Sequence, residues 1–260
     1  MQRQTYTSLQ LKEIFHLEFL RWLARKLKPD YYALKGGVNL RFFYQSLRYS
    51  MDMDIDVRVI NVSALCDIVM KILRSLSFQE SLKPFGINKI TLPDMAKAKQ
   101  AQTTQRFKIH LITAAAEGHF AKIEFSRRGF KGEVTVEPIS NAILREYKLA
   151  PLVVPHYSAD SAIAQKIEAL VTRSIIQARD IFDLYILTSQ LDYPESKEIK
   201  INGAKLMKAN DNLLEVGFEQ FRDTVISYLS TEDQQVYSSA NIWDEIKLRV
   251  SNFIEGLQKQ

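Results

Sequence analysis

Three aspartates, Asp52, Asp54 and Asp56, take alternate positions in the apolar run "MDMDIDVRV". A spacing of two places them on one face of a β-strand and puts Met51, Met53, Ile55 and Val57 on the other. Like charges along one face repel, so such a strand needs positive charge beside it. A divalent cation meets that need, because Mg²⁺ binds through a few carboxylates together with substrate phosphates. Ser50 shares the spacing and Arg48 stands just before it. The competing reading is a solvated edge strand decorated with acid. The firmly apolar opposite face argues for burial instead. Asp56 extends the pattern and is expected to lie past the site, near solvent.

Three further elements could join this chemistry. Gly36 and Gly37 sit between a strand-like and a helix-like stretch. Glycine lets backbone come close to a ligand, and a helix N-terminus offers free N–H groups to phosphate; a plain tight turn explains the pair equally well. Glu124, in "FAKIEFSR", is a lone acid in an apolar strand, a third carboxylate for a metal or general-base site, or a surface residue. Lys166, Arg173 and Asp180 recur every seven residues in "AQKIEALVTRSIIQARDIFDLYIL". A continuous helix would align them on one stripe, where Lys166 and Arg173 could offset triphosphate charge. The same stripe could be a wet helix face, with Arg179 and Asp183 as an i,i+4 ion pair.

Those residues need scaffolding. Residues 8–28 read as a helix through Leu9, Ile14, Leu17, Leu20 and Leu27, with a basic end before Pro29. "YYALKGG" reads as strand and turn, "VNLRFFYQSL" as helix, "MDMDIDVRVI" as strand and "VSALCDIVMKILRSLS" as amphipathic helix. "NKITL", "QRFKIHLIT", "FAKIEFSR" and "GEVTVEPI" read as strands, with "DMAKAKQAQTTQ" as an exposed loop. Then "NAILREYKL" looks helical, "APLVVPHY" connects, and helical patterns cover Ser161 to about Gln177, Arg179–Leu187, 213–230 and 238–257. The pattern suggests an α/β or α+β catalytic module followed by a helical one. Residues 1–138 are expected to form the catalytic core with an N-terminal helix, and 139–260 a helical domain carrying the Lys166 and Asp180 motifs.

Composition narrows the class. Of 260 residues 46% are hydrophobic and 25% charged, an ordinary balance for a globular core. The single cysteine, Cys66, excludes an internal disulfide and a cysteine-based zinc site, which suits a reducing, cytoplasmic setting. The first residues do not read as a signal peptide, and no apolar run approaches the ~20 residues that span a bilayer. Net charge is +5, a mild lean toward polyanionic partners.

Taken together, "KGGVNL", "RYSMDMDID", "KIEALVTR" and "RDIFDL", in that order over roughly residues 30–190, resemble the AbiEii/AbiGii toxin family of nucleotidyltransferases. That resemblance narrows the fold class to α+β with a mixed sheet, of the polymerase-β type, and implies the toxin half of a type IV toxin–antitoxin or phage abortive-infection system. It implies that Gly36 and Gly37 form the phosphate-binding turn. Ser50 and Asp52 match the family's Ser-x-Asp, and Asp54 its second acid. Lys166 matches the lysine of the third motif and Asp180 the acid of the fourth, with Asp183 close behind. Glu124 falls at the third-carboxylate position. The chain has Gly-Gly where many polymerase-β-type enzymes have Gly-Ser, and Asp56 lengthens the acid run.

The implied chemistry is attack of an acceptor hydroxyl on the α-phosphate of an NTP, with Mg²⁺ (or Mn²⁺) at Asp52 and Asp54 and loss of pyrophosphate. The implied acceptor is RNA, especially the tRNA 3′ end. Arg21, Arg25, Lys26, Lys28, Arg127, Arg128 and Lys131 are candidate RNA-backbone contacts or plain surface charges. The implied partner is a separately encoded antitoxin, without an obligatory heterodimer. Three alternatives stand beside this reading: nucleotidyl transfer to a protein, transfer of the γ-phosphate, and a non-catalytic nucleic-acid-binding regulator. The last gives no reason for an acidic strand.

Overall fold

The computed structural model describes residues 5–190 and 199–259, and the chain divides into two units. A sheet unit holds the chain up to Asn39, then Tyr49–Phe130 and Val134–Tyr157; a helical unit holds Leu40–Arg48, Lys131–Glu133 and the chain from Ser158 onward.

The sheet unit opens with α1 (Ser8–Ala24), whose N-terminus is closed by a capping box between Thr7 and Gln10. Strand β1 (Tyr32–Lys35) leads directly into α2 (Gly36–Phe43). After β2 (Asp52–Val57) come α3 (Val62–Arg74) and α4 (Leu76–Leu82). Strands β3 (Ile87–Thr91), β4 (Thr104–Thr113), β5 (Gly118–Ser126) and β6 (Val134–Pro138) follow, then α5 (Asn141–Glu146) and β7 (Val153–Tyr157). The strands form one sheet in the order β3-β4-β5-β2-β1-β7-β6. β2 is parallel to β5 and β1 is parallel to β7, while the other neighbours are antiparallel.

Alternation along the strands makes the two sheet faces chemically different. Met53, Ile55 and Val57, Phe107, Ile109 and Leu111, and Ala121, Ile123 and Phe125 are all buried. Helices α1, α3 and α4 pack together on this side, α1 against β5 and α4 against β3. Burial of each large side chain is worth about 1.5–3 kcal/mol, which makes this face the energetic spine of the unit. The even positions of β2 and the facing positions of β5 and β4 are mostly polar, with Phe120 of β5 an aromatic exception.

The segment "APLVVPHY", expected as a connector, contains strand β7. Prolines at 151 and 155 demote a strand reading, yet Val153 and Val154 carry strong β preference and Pro155 pairs with Val136. Residue 138 therefore ends one arm of a strand pair, and the sheet unit continues to Tyr157.

The helical unit contains α6 (Ala159–Thr172), α7 (Ala178–Gln190), α8 (Gly203–Leu214), α9 (Phe218–Thr224), α10 (Thr231–Val236) and α11 (Ala240–Gln258). Phe221 stacks on Trp243 at 4.4 Å between ring centroids, and Trp243 Nε1 donates to the Val216 carbonyl at 2.9 Å. The pattern expected near 213–230 is broken at Glu215–Gly217, so α8 and α9 are separate. No helix among the described residues is long and apolar enough to cross a membrane.

Candidate active site

Register explains how the sheet assembles the acids. Across β1, Lys35 stands opposite Asp54 and Ala33 opposite Asp56. Across β5, Lys122 stands opposite Asp52 and Glu124 opposite Asp54. One strand further, Arg106 of β4 stands opposite Glu124 and Lys108 opposite Lys122. Opposed residues share a face, so acids and bases interleave across the four adjacent strands β4, β5, β2 and β1.

Each acid has a different fate. Lys122 Nζ lies 2.6 Å from Asp52 Oδ2, and the Asp52 side chain stays 39% exposed. The Asp54 carboxylate makes no hydrogen bond or ion pair to another described residue. Burial holds its carboxyl above the ordinary carboxylate range; Glu124 and Asp52 push the same way, against Lys35 and Lys122. Asp56 is buried rather than solvent-facing. It accepts from Lys35 Nζ at 2.6 Å and from Tyr157 Oη at 2.7 Å. The expectation for Asp56 failed because β7 was not foreseen: its Tyr157 closes over the deep end of β2. Glu124 does neighbour Asp54, but Arg106 holds it in an ion pair of 2.7 Å.

The glycine turn is built against the acids. Gly36 has φ +65°, and a Cβ there would stand 3.1 Å from Asp54 Oδ2. Only glycine takes this backbone conformation without strain. Gly37 lies in the first turn of α2. Ser50 precedes β2, and its hydroxyl donates to the Asp52 carbonyl at 2.8 Å, tying down the strand entry rather than extending the strand face.

Four residues of this site carried little weight in the sequence reading. Lys12 is buried on α1 and donates to Met51 Sδ at 3.3 Å. Burial lowers its ammonium below the ordinary lysine range, with Asp52 pulling the other way. Lys35 precedes the glycine pair, and Lys122 alternates with Glu124, so period-2 spacing could have placed both. Tyr157 had no such signal.

The third and fourth motifs meet differently from the expected stripe. α6 ends at Thr172 and α7 begins at Ala178, so Lys166 and Asp180 come together across a helix break. Lys166 Nζ lies 2.8 Å from Asp180 Oδ1 and 2.6 Å from Asp183 Oδ2. Arg48 approaches both Asp183 oxygens at 3.3 Å. Arg173 Nε lies 3.0 Å from Asp180 Oδ2, in an ion pair without hydrogen-bond alignment. Asp183 thus pairs with Arg48 and Lys166. Burial opposes the Lys166 charge, but Asp180 and Asp183 outweigh it and hold the ammonium above its ordinary range. Burial likewise opposes the Asp183 charge, and Arg48 and Lys166 outweigh it, holding that carboxyl below its ordinary range.

Two of the expected RNA contacts are occupied elsewhere. Arg21 donates to the Ala150 and Pro151 carbonyls, and Arg127 donates to Gln105 and the Ile60 carbonyl.

Residues 18–237 match the family described as nucleotidyl transferase AbiEii toxin, type IV TA system. The chain belongs to this family. No curated protein matches this AbiEii chain. Among solved structures it is similar to JHP933 from Helicobacter pylori, with 20% identity and a TM-score of 0.55 over 98% of this chain and 94% of that one. It is also similar to MenT4, a nucleotidyltransferase toxin from Mycobacterium tuberculosis, with 14% identity and a TM-score of 0.63 over 95% of this chain and 84% of that one. The AbiEii chain therefore shares the α+β fold of nucleotidyltransferase toxins, with a helical C-terminal region, and falls in an enzyme family.

Nucleotidyltransferases use an NTP and a divalent metal, and the AbiEii residues at the head of β2 fit one. Asp52 and Asp54 offer hard oxygen donors from one strand face, and the Asp54 carboxylate has neither a hydrogen bond nor an ion pair among the described residues. Among the described residues no group of three His, Cys, Asp or Glu side chains is arranged to hold a metal. Glu124, the expected third carboxylate, is paired with Arg106.

Proposed function

We propose that this protein transfers a nucleoside monophosphate from an NTP to an RNA acceptor, the tRNA 3′ end, with Mg²⁺ or Mn²⁺. One observation carries the reading: the Asp52–Asp54 pair stands beside Gly36 at the start of α2, and among the described residues the Asp54 carboxylate makes no ion pair. Asp52 and Asp54 would hold the metal, which supplies charge neutralisation on the reacting phosphate. The N–H groups at Gly36 and Gly37 would bind phosphate oxygens at the helix start. Lys122 and Lys35 temper the acid run, so the strand remains folded without its ligand.

In the reaction the acceptor hydroxyl oxygen forms a bond to the α-phosphorus. The bond from that phosphorus to the bridging oxygen breaks, pyrophosphate leaves with the electron pair, and the hydroxyl proton passes to solvent. The contribution of the chain is positioning and charge stabilisation. In the helical unit, Lys166 and Asp180 are assigned to the catalytic set. Arg48, Arg173 and Asp183 are assigned to nucleotide charge and to the placement of Lys166. Arg173 is the most exposed of these cations. Extension of the tRNA end would block aminoacylation and arrest growth, or abort a phage infection, until a separately encoded antitoxin restores balance.

The test is a labelling assay with Mg²⁺, cellular RNA and each NTP, labelled at the α- or the γ-phosphate, with the Asp52→Ala protein alongside. α-Label in tRNA-sized RNA, lost in the variant, supports the reading. α-Label in protein bands moves the acceptor to a protein. γ-Label alone means phosphoryl transfer. No label, with RNA binding unchanged by the substitution, overturns catalysis.

A further inference from the structure

On the open face of the sheet, a cavity of about 460 Å³ lies between β4, β5 and residues 91–99. Its lining includes Lys97, Lys99, Arg106 and Lys108, against one carboxylate, Asp94, which pairs with Lys97 at 3.6 Å. Its floor is aromatic. Phe120 is 53% exposed on a strand position where a polar residue would cost nothing. The His110 ring lies flat against it, with centroids 4.5 Å apart and planes 18° apart, and Lys108 Nζ sits 4.2 Å from the Phe120 centroid. Gly118 makes this stack possible, since a Cβ there would collide with the His110 ring.

We propose that this cavity seats the acceptor strand: the flexible Lys108 side chain swings off the Phe120 ring, a base of a single-stranded nucleic acid stacks on the face it leaves, and Lys108 and Lys99 take the phosphates. The inference rests on the nucleotidyl-transfer reading for why such a strand should come here, and it adds the place. A flat aromatic pair ringed by cations matches a base with its phosphate. Base–aromatic stacking is tolerant of sequence, and cations track the backbone. An acidic peptide would use the cations but leave the stacked rings uncovered. Position supports the assignment as well. Phe120 and Glu124 share one face of β5, roughly 13 Å apart at about 3.3 Å per residue, and Glu124 stands opposite Asp54. A strand held at Phe120 therefore continues along the same face toward the Asp52–Asp54 pair.

The experiment measures fluorescence anisotropy of a short fluorescein-labelled single-stranded RNA against the full chain and four variants. Phe120→Leu is expected to weaken binding about tenfold or more. Phe120→Tyr, which keeps the ring, should restore it and controls for folding. Lys108→Gln should weaken binding and reduce the salt slope by about 0.7. Asp52→Ala binding is read in parallel with α-label transfer. RNA binding lost in Phe120→Leu but kept in Asp52→Ala supports the site, even if no α-label transfer is ever found; that result would sink the transfer reading alone. Equal binding by wild type and Phe120→Leu, or displacement by heparin with no dependence on residue 120, overturns the site while leaving transfer intact. Binding of an acidic peptide but not of RNA also overturns it.

Discussion

Gly36 and Asp54 fit one another: the glycine has φ +65°, and its missing Cβ would stand 3.1 Å from the Asp54 carboxylate. Gly36→Ala therefore meets two penalties, a strained backbone and a displaced carboxylate. The expected loss of stability is about 1 kcal/mol or more, read as a lower Tm. Transfer activity in the labelling assay should fall by about tenfold or more, because the substitution disturbs the residue assigned to the metal.

Asp54→Asn separates charge from shape. Asp54 sits among Asp52 and Glu124, and burial also disfavours its charge. The neutral variant is expected to keep or raise the Tm of the metal-free protein. It should lose the thermal stabilisation that Mg²⁺ or Mn²⁺ confers on the wild type, as well as transfer activity. Thermal scans with and without the cation check both statements.

Asp56 should behave in the opposite way from Asp52. Removing the buried Asp56 carboxylate strands Lys35 and the Tyr157 hydroxyl. Asp56→Ala is expected to cost about 2 kcal/mol, measured by urea unfolding. Asp52→Ala, at a half-exposed position, should unfold at nearly the wild-type midpoint while transfer is abolished.

The Lys166–Asp183 pair sets a pH window. The Asp183 carboxyl is held below its ordinary range. Its stabilisation is therefore complete above the ordinary aspartate pKa, about 3.9, and is lost as pH falls through the lower folded value. The Lys166 ammonium is held above its ordinary range. Its contribution is complete below about 10.4 and is lost as pH rises through the higher folded value. The Tm difference between wild type and Asp183→Asn should stay constant from about pH 5 to 9 and shrink in acid, as thermal scans across pH would show.

Lys166→Ala leaves Asp180 and Asp183 buried beside fewer cations. Lys166→Arg keeps the charge with a different shape. If Lys166 acts on the nucleotide as proposed, Lys166→Ala abolishes transfer in a chain that still unfolds cooperatively, and Lys166→Arg restores stability more than activity. Circular dichroism beside the labelling assay distinguishes this from a purely structural lysine, for which both readouts would fall together.

Local spacing was enough to read β2. Alternation put Asp52 and Asp54 on one face, and the glycine pair fell at a strand-to-helix turn as expected. Spacing could not tell the three acids apart, because what distinguishes Asp56 is Tyr157, a hundred residues later. The heptad from Lys166 to Asp180 was real in sequence and misleading in structure, since a break at Arg173–Gln177 folds the two helices back into an ion-pair network. The stacked floor at Phe120 depends on the register of the β4–β5 hairpin. One residue of slip would have sent His110 to the opposite face.

The strand order has a temporal side. β1 and β2 are made before their sheet neighbours β5 and β7, which come from residues 118–126 and 153–157. The carboxylate pair is thus translated well before the ladder that flanks it. Asp56 must wait for Tyr157, and Asp183 follows later still. Tyr157 follows Asp56 by 101 residues, so the acids emerge in an unfinished sheet, and the site is complete only once the later strands and the Asp183 helix have been made.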